Sequence, residues 1–203
     1  IYKVWYKSFG NENHEDTAEA FLEVEIAKQS IAIPTADDTA YLYNGAAQTY
    51  QLKEDSAYRI EGSRQTNAGA YFVTAALVDP DNTEWQDGKT DDKTYPFCIA
   101  KAVVTITAAN HTVTVGDALP DWSTPVLGRD YMGWGLFGTD TLGGSLKLRC
   151  SPAPDLTRPG QTDIIAEGAD AGDNYTIVYK PGKLTVQAQT TASGGGGGSS
   201  SSS

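Results

Sequence analysis

Six carboxylates, Asp79, Asp81, Glu84, Asp87, Asp91 and Asp92, crowd one short stretch of this 203-residue chain, the kind of oxygen-rich run that a calcium loop draws on. A calcium loop of the EF-hand type also needs Gly at its sixth place, where the sharp turn falls, and a bidentate Glu at its twelfth. Counted from Asp79, the sixth place is Glu84, so the stretch reads as a solvated acidic turn whose charges discourage edge-to-edge pairing. Hydrolytic chemistry fares no better. A nucleophile needs a base within hydrogen-bond reach, yet His14 and His111 are the two histidines and no Ser sits in a Gly-x-Ser-x-Gly elbow. Cys98 and Cys150 lack the C-x-x-C spacing of a zinc site. The residues therefore assign no catalytic, metal or cofactor-binding position, and the chain reads as non-enzymatic.

Two further groupings carry chemistry. Lys101 on an opening strand and Asn174 before a closing one could form an intramolecular amide cross-link, which requires a buried carboxylic acid beside the pair. Asn174 follows Asp173 in a turn, where an Asn ordinarily caps the backbone, and the structural reading is preferred. The stretch 129–137 is the more productive one. Tyr131, Trp134 and Phe137, with Trp122 nearby, offer the flat faces and polar tips on which sugars stack, and the interspersed glycines let such a loop protrude. The competing reading has these rings filling a gap in a core, because an exposed apolar patch demands a partner. The second reading is preferred, with Tyr131, Trp134 and Phe137 kept as the candidate ligand contacts.

The elements that must position these residues are strands. Alternating runs recur at Tyr2 to Lys7 and Phe21 to Ile26, at Tyr58 to Glu61, Gly69 to Leu77 and Lys93 to Ala100, and at Val103 to Thr107, Thr112 to Gly116, Leu142 to Leu148 and Thr162 to Ala166. Ser30 to Ile33 and Tyr41 to Tyr43 are shorter candidates. Gly69 to Leu77 is apolar on both faces and reads as central, with Trp85 expected to lid one end of its core. Pro181-Gly182 predicts a tight turn joining Tyr175–Tyr179 to Lys183–Val186 as a hairpin. The segment Ile26-Ala27-Lys28 returns as Ile99-Ala100-Lys101 and is echoed by Lys183-Leu184-Thr185-Val186, so the chain is punctuated into modules. The expected organisation is a closing hairpin of a preceding module at 1–28, two small β modules at 29–100 and 101–188, and a flexible Gly/Ser tail at 189–203.

Composition agrees with an all-β chain: 39% of residues are apolar, with 21 Gly and nine Pro, and no apolar run approaches a membrane-spanning length. The net charge of −11 is spread over the chain, repelling phosphate backbones and anionic lipid, so nucleic acid and membrane surfaces are poor partners. The two cysteines read as buried strand thiols rather than a disulfide linking the modules. The chain opens at Ile1 without an export signal, and both ends look cut from something longer.

A family resemblance adds to this reading. Ile33-Pro34-Thr35-Ala36, Tyr43-Asn44-Gly45, Asn67-Ala68-Gly69-Ala70-Tyr71 and Trp85-Gln86-Asp87-Gly88-Lys89-Thr90 resemble the Ig-like stalk repeats of large Gram-positive surface proteins. Val115-Gly116-Asp117-Ala118-Leu119-Pro120, Gly138 to Leu146, Gly172 to Ile177 and Gly182 to Val186 are similar to the MBG-type repeat of the same proteins. The resemblance implies tandem Ig-like and MBG-type β-sandwich modules in a rod-like array, monomeric, without cofactors, and located at the cell surface or secreted. It implies a non-catalytic spacer whose partners are the neighbouring repeats. The alternative is an adhesin module that meets host glycan or protein through the aromatic loop 129–137.

Overall fold

A computed structural model describes residues 1–190; most of the Gly/Ser tail expected at 189–203 lies outside the described residues. Seventeen strands and no helix make up the described residues, so the chain is all-β, and no helix is long and apolar enough to cross a membrane. The strands are β1 (Tyr2–Tyr6), β2 (Ala20–Val24), β3 (Gln29–Ile31), β4 (Tyr41–Leu42), β5 (Gln48–Thr49), β6 (Tyr58–Glu61), β7 (Arg64–Gln65), β8 (Gly69–Leu77) and β9 (Thr83–Trp85). They continue as β10 (Lys93–Ala100), β11 (Ala102–Ala108), β12 (His111–Thr114), β13 (Tyr131–Trp134), β14 (Gly143–Ser151), β15 (Gly160–Asp170), β16 (Tyr175–Lys180) and β17 (Gly182–Gln187).

The chain divides into two compact units. The first comprises Ile1–Thr39, Thr49–Gln65 and Tyr71–Phe97; the second takes Ala40–Gln48, Thr66–Ala70 and the described residues from Cys98 onward. The second unit thus draws on three pieces of the module expected at 29–100, the last being Cys98 to Ala100.

In the first unit, β6 pairs antiparallel with β8, Tyr58 opposite Leu77, while β3 runs parallel to β9, Ile31 opposite Trp85. Alternation along β10 buries Tyr95 and Phe97. Trp85 is not a lid: it is fully buried, its ring 5.4 Å from that of Tyr58 and its indole N–H donating to Asp91 O at 2.9 Å. An indole can be buried whole when its one donor finds a backbone acceptor, and here the acidic turn supplies it. Tyr50 packs against Phe97 at 5.5 Å, and the Tyr95 hydroxyl donates to Pro34 O at 2.8 Å. In β8, Val73, Ala75, Ala76 and Leu77 are buried and Phe72 faces outward. The hairpin β1–β2 differs in kind. Every residue of β1 is exposed, and the register Tyr2↔Val24, Val4↔Leu22, Tyr6↔Ala20 gathers apolar side chains on one face.

In the second unit, two sheets enclose one core of Val104, Ile106, Ile164, Leu184 and Val186. One has the order β13-β11-β16, the other β12-β17-β15-β14, and β4 lies parallel to the end of β10 through Tyr41 and Leu42. The chain passes from sheet to sheet at two neighbouring corners. Between β11 and β12 it turns at Ala109-Asn110, and between β16 and β17 at Pro181, with β16 parallel to β11 and β17 parallel to β12.

Residues 175–186 are therefore not a hairpin. Their two strands lie in opposite sheets, because both are apolar inward and the core runs between them rather than beside them. Gly182 is the first residue of β17, not a left-handed turn residue. A Cβ there would meet the carbonyl oxygens of Ala109 and Ala108 at 2.4 and 2.5 Å, so Gly is what lets the stacked corners approach. The Lys183 N–H, donating to Asn110 Oδ1 at 2.8 Å, ties them together.

The expected burial of the cysteines also needs correction. Both are free thiols, Cys150 half-buried, its pKa pushed up by that burial, while Cys98 is exposed. On β10 the inward positions belong to Tyr95, Phe97 and Ile99, which leaves Cys98 on the outer face.

Candidate functional site

The aromatic residues of the 129–137 stretch fall into two separate assemblies. Tyr131 and Trp134 lie on β13, an edge strand whose pairing with β11 sets Tyr131 opposite Ala108 and Trp134 opposite Thr105. Phe137 lies beyond the strand end. The stretch is thus partly a strand, which its glycines concealed: Gly133 sits within β13, and only Gly135 takes a positive φ, +108°, where a Cβ would strike Val103 O at 2.3 Å.

Trp134 fills no core gap; it is 64% exposed. Alternation explains why. On β11, Ala102, Val104, Ile106 and Ala108 point inward, so Val103, Thr105 and Thr107 point out, and directly paired residues share a face. The pairings set Trp134, Thr105 and Val178 in one cross-strand row and Met132, Thr107 and Lys180 in the next. Val103, opposite Thr176, completes an outer surface on which Trp134, Val103, Val178 and Met132 are all exposed.

Phe137 belongs to another assembly. Its ring lies 6.2 Å from Tyr43, and its backbone N–H donates to the Tyr175 hydroxyl at 2.9 Å. The Tyr43 and Tyr175 rings meet edge to face at 5.2 Å, and both hydroxyls donate to Asp140 Oδ2, at 2.8 and 2.6 Å. Accepting two phenolic bonds holds the Asp140 carboxyl below its usual range. The same bond from the carboxylate side pushes Tyr43 up to about 12, and burial followed by Asp140 raises Tyr175. None of these groups is poised to titrate near neutrality, so the cluster is a fastening and not an acid–base device. Sequence reasoning missed it, because Tyr43 and Asp140 fall in segments assigned to two different modules and lie 97 positions apart.

Trp122 stands apart from both, near His111, the rings 5.5 Å apart. Beside them Asp130 is almost wholly buried. Arg129 grips its carboxylate through Nη2 at 2.7 Å, the Val126 N–H donates to Oδ2 at 2.8 Å, and His111 Nε2 stands 3.6 Å from Oδ1. Arg129, above all, holds the Asp130 carboxyl below the ordinary range. These bonds tie down the long connection between β12 and β13. A cleft of about 530 Å³ opens there, with Asp121, Ser123 and Thr124 on its walls.

Asn174 works as a long-range tie rather than as the local turn cap expected of it: its Oδ1 accepts from the Ala68 N–H at 2.9 Å, 106 positions away, and its carbonyl accepts from the Ala102 N–H at 3.0 Å. In the acidic turn, Asp79 is engaged with Asn82, and Asp87 is paired with Lys93 at 2.8 Å. Among the described residues, no group of three or more His, Cys, Asp or Glu side chains is arranged to hold a metal ion.

The second unit is thus a two-sheet β module whose loops are fastened through Asp140 and Asp130. Residues 104–185 match the family model of the MBG domain (YGX type), a repeat module of bacterial surface proteins and not a known enzyme family. No curated protein and no solved structure matches the chain.

Proposed function

We propose that this chain is a non-catalytic spacer segment of an extracellular bacterial surface protein, its β units serving to hold another part of the molecule away from the cell. The observation that carries the reading is the MBG match over 104–185, which falls on a unit with its own core and with loops locked by Asp140 and Asp130. Such a unit keeps its dimensions without a ligand. The test is display height on a cell. Replacing residues 101–188 by an unrelated β-sandwich of equal span should leave antibody access to an epitope fused at the distal end unchanged, and deleting them should reduce it. Unchanged access after deletion would sink the spacer reading.

A second reading, an adhesin that meets host glycan or protein through the 129–137 stretch, is favoured by one observation. Trp134 is the most exposed tryptophan of the chain at 64%, and large apolar surface left in water is a common mark of a contact site.

A further inference from the structure

We infer that the outer face of the sheet β13-β11-β16 is a stacking platform for a flat, β-1,4-linked hexopyranose chain, with Trp134 as its anchor. The inference rests on the adhesive reading and moves its site from a protruding loop to a sheet face.

Three features of the face select this ligand. The first is its chemistry. Trp134, Val103, Val178 and Met132 present apolar surface, while Thr105 and Thr107 place hydroxyls between them along the central strand. A pyranose has the complementary surface, C–H groups on its flat sides and hydroxyls around its rim, and an indole is the side chain best suited to stack on the former. The second is charge. In a chain of 26 acidic residues the paired rows of this face carry no carboxylate; Lys180 is their one charge. A cationic partner finds nothing to pair with, and a neutral or acidic sugar meets no repulsion at contact.

The third is size. Strands about 4.8 Å apart and side-chain rows about 6.8 Å apart give a platform of roughly 10 by 14 Å. That is far below the ~800 Å² per partner of a stable protein interface, so a second protein or a second copy of this chain is poorly served. A short run of sugar rings fits it, and a flat ribbon suits a surface without walls.

Titration calorimetry of the whole chain with cellohexaose and chitohexaose tests the inference. Binding of at least one is expected. Trp134→Ala should weaken it at least tenfold, and Val178→Glu and Val103→Glu should do the same with unchanged melting midpoints, while Trp5→Ala leaves it intact. Loss in Trp134→Ala with full binding in both Glu variants would keep the adhesive reading and overturn the sheet-face platform. Absence of heat with both sugars at millimolar concentration, or a Trp134-dependent dimer in sedimentation, would overturn it as well.

Discussion

The Tyr43 hydroxyl donates to Asp140 Oδ2 at 2.8 Å, from a part of the chain that precedes the MBG-like segment by some sixty residues. Tyr175 reaches the same oxygen at 2.6 Å, so one carboxylate fastens two segments at once. Loss of that oxygen leaves two buried phenols without their acceptor, which costs more than the loss of either hydroxyl. Asp140→Ala should therefore destabilise the second unit more than Tyr43→Phe. Chemical denaturation of the two variants decides the order; equal midpoints would show the carboxylate to be incidental.

This cluster and the separate site of Asp130 together fix a pH signature. Asp140 and Asp130 both have folded-state pKa values below the ordinary carboxylate value, so they stabilise the fold above about pH 4, and that contribution is lost as pH falls through their depressed values. Tyr43 works in the opposite direction. Raised from 10.0 to about 12, it stabilises the fold fully below pH 10 and loses that contribution between pH 10 and 12 as the unfolded phenol ionises first. Melting temperature followed against pH should fall at both ends. Tyr43→Phe should flatten the alkaline limb and leave Asp130's share of the acid limb in place.

Glycine substitutions should separate the corner from open loops. At Gly182 an added methyl meets two backbone carbonyls, which cannot rotate away, whereas at Gly160 it meets nothing within 4 Å and neither residue has a positive φ. Gly182→Ala is expected to cost upwards of ~1 kcal/mol, and Gly160→Ala to be neutral or stabilising by a few tenths. Gly45 tests the aromatic cluster in the same way. Its φ is +76° and a Cβ would sit 3.0 Å from that of Phe137, so Gly45→Ala should lower the melting midpoint of the second unit.

Two tryptophans should respond in opposite ways. Trp85 is fully buried, and truncation to Ala should cost ~3–5 kcal/mol. Trp5, 60% exposed on β1 with its ring 4.9 Å from Phe21, anchors only a two-stranded hairpin. Trp5→Ala should leave the main thermal transition unmoved, and amides of Val4 to Tyr6 should exchange within the dead time of a hydrogen-exchange experiment, since two strands alone are marginal in water. Slow exchange there would show that the hairpin has a cover.

The all-β class and the places of β8 and β10 were legible for different reasons: β10 alternates through eight positions, and β8 is a nine-residue apolar run rich in β-formers that ends with Ala75, Ala76 and Leu77 all buried. The corner at Pro181 was misread for a physical reason. Pro-Gly favours a tight reversal, but whether the next strand returns beside its predecessor or crosses to the facing sheet depends on what packs between them. Here Ala108 and Ala109 stand in the way of any side chain at Gly182. Strand β13 escaped notice because Gly133 and Gly135 weaken the alternation around Trp134. Of the three aromatic candidates, spacing placed all in one loop, whereas strand pairing sends Trp134 to an outer sheet face and a hydrogen bond sends Phe137 to Tyr175.

The parallel pairing of β11 with β16 and of β12 with β17 bears on how the second unit would behave under tension. A pull applied at Ala102 and at Gln187 drags β11 backward and β16–β17 forward along their own axes, so the ladder between them is loaded in shear and its bonds must fail together. The antiparallel hairpin β1–β2, pulled at Tyr2 and Val24, is held at adjacent ends and peels open one rung at a time. In single-molecule stretching the second unit should rupture as one high-force event while the hairpin yields without a resolvable peak.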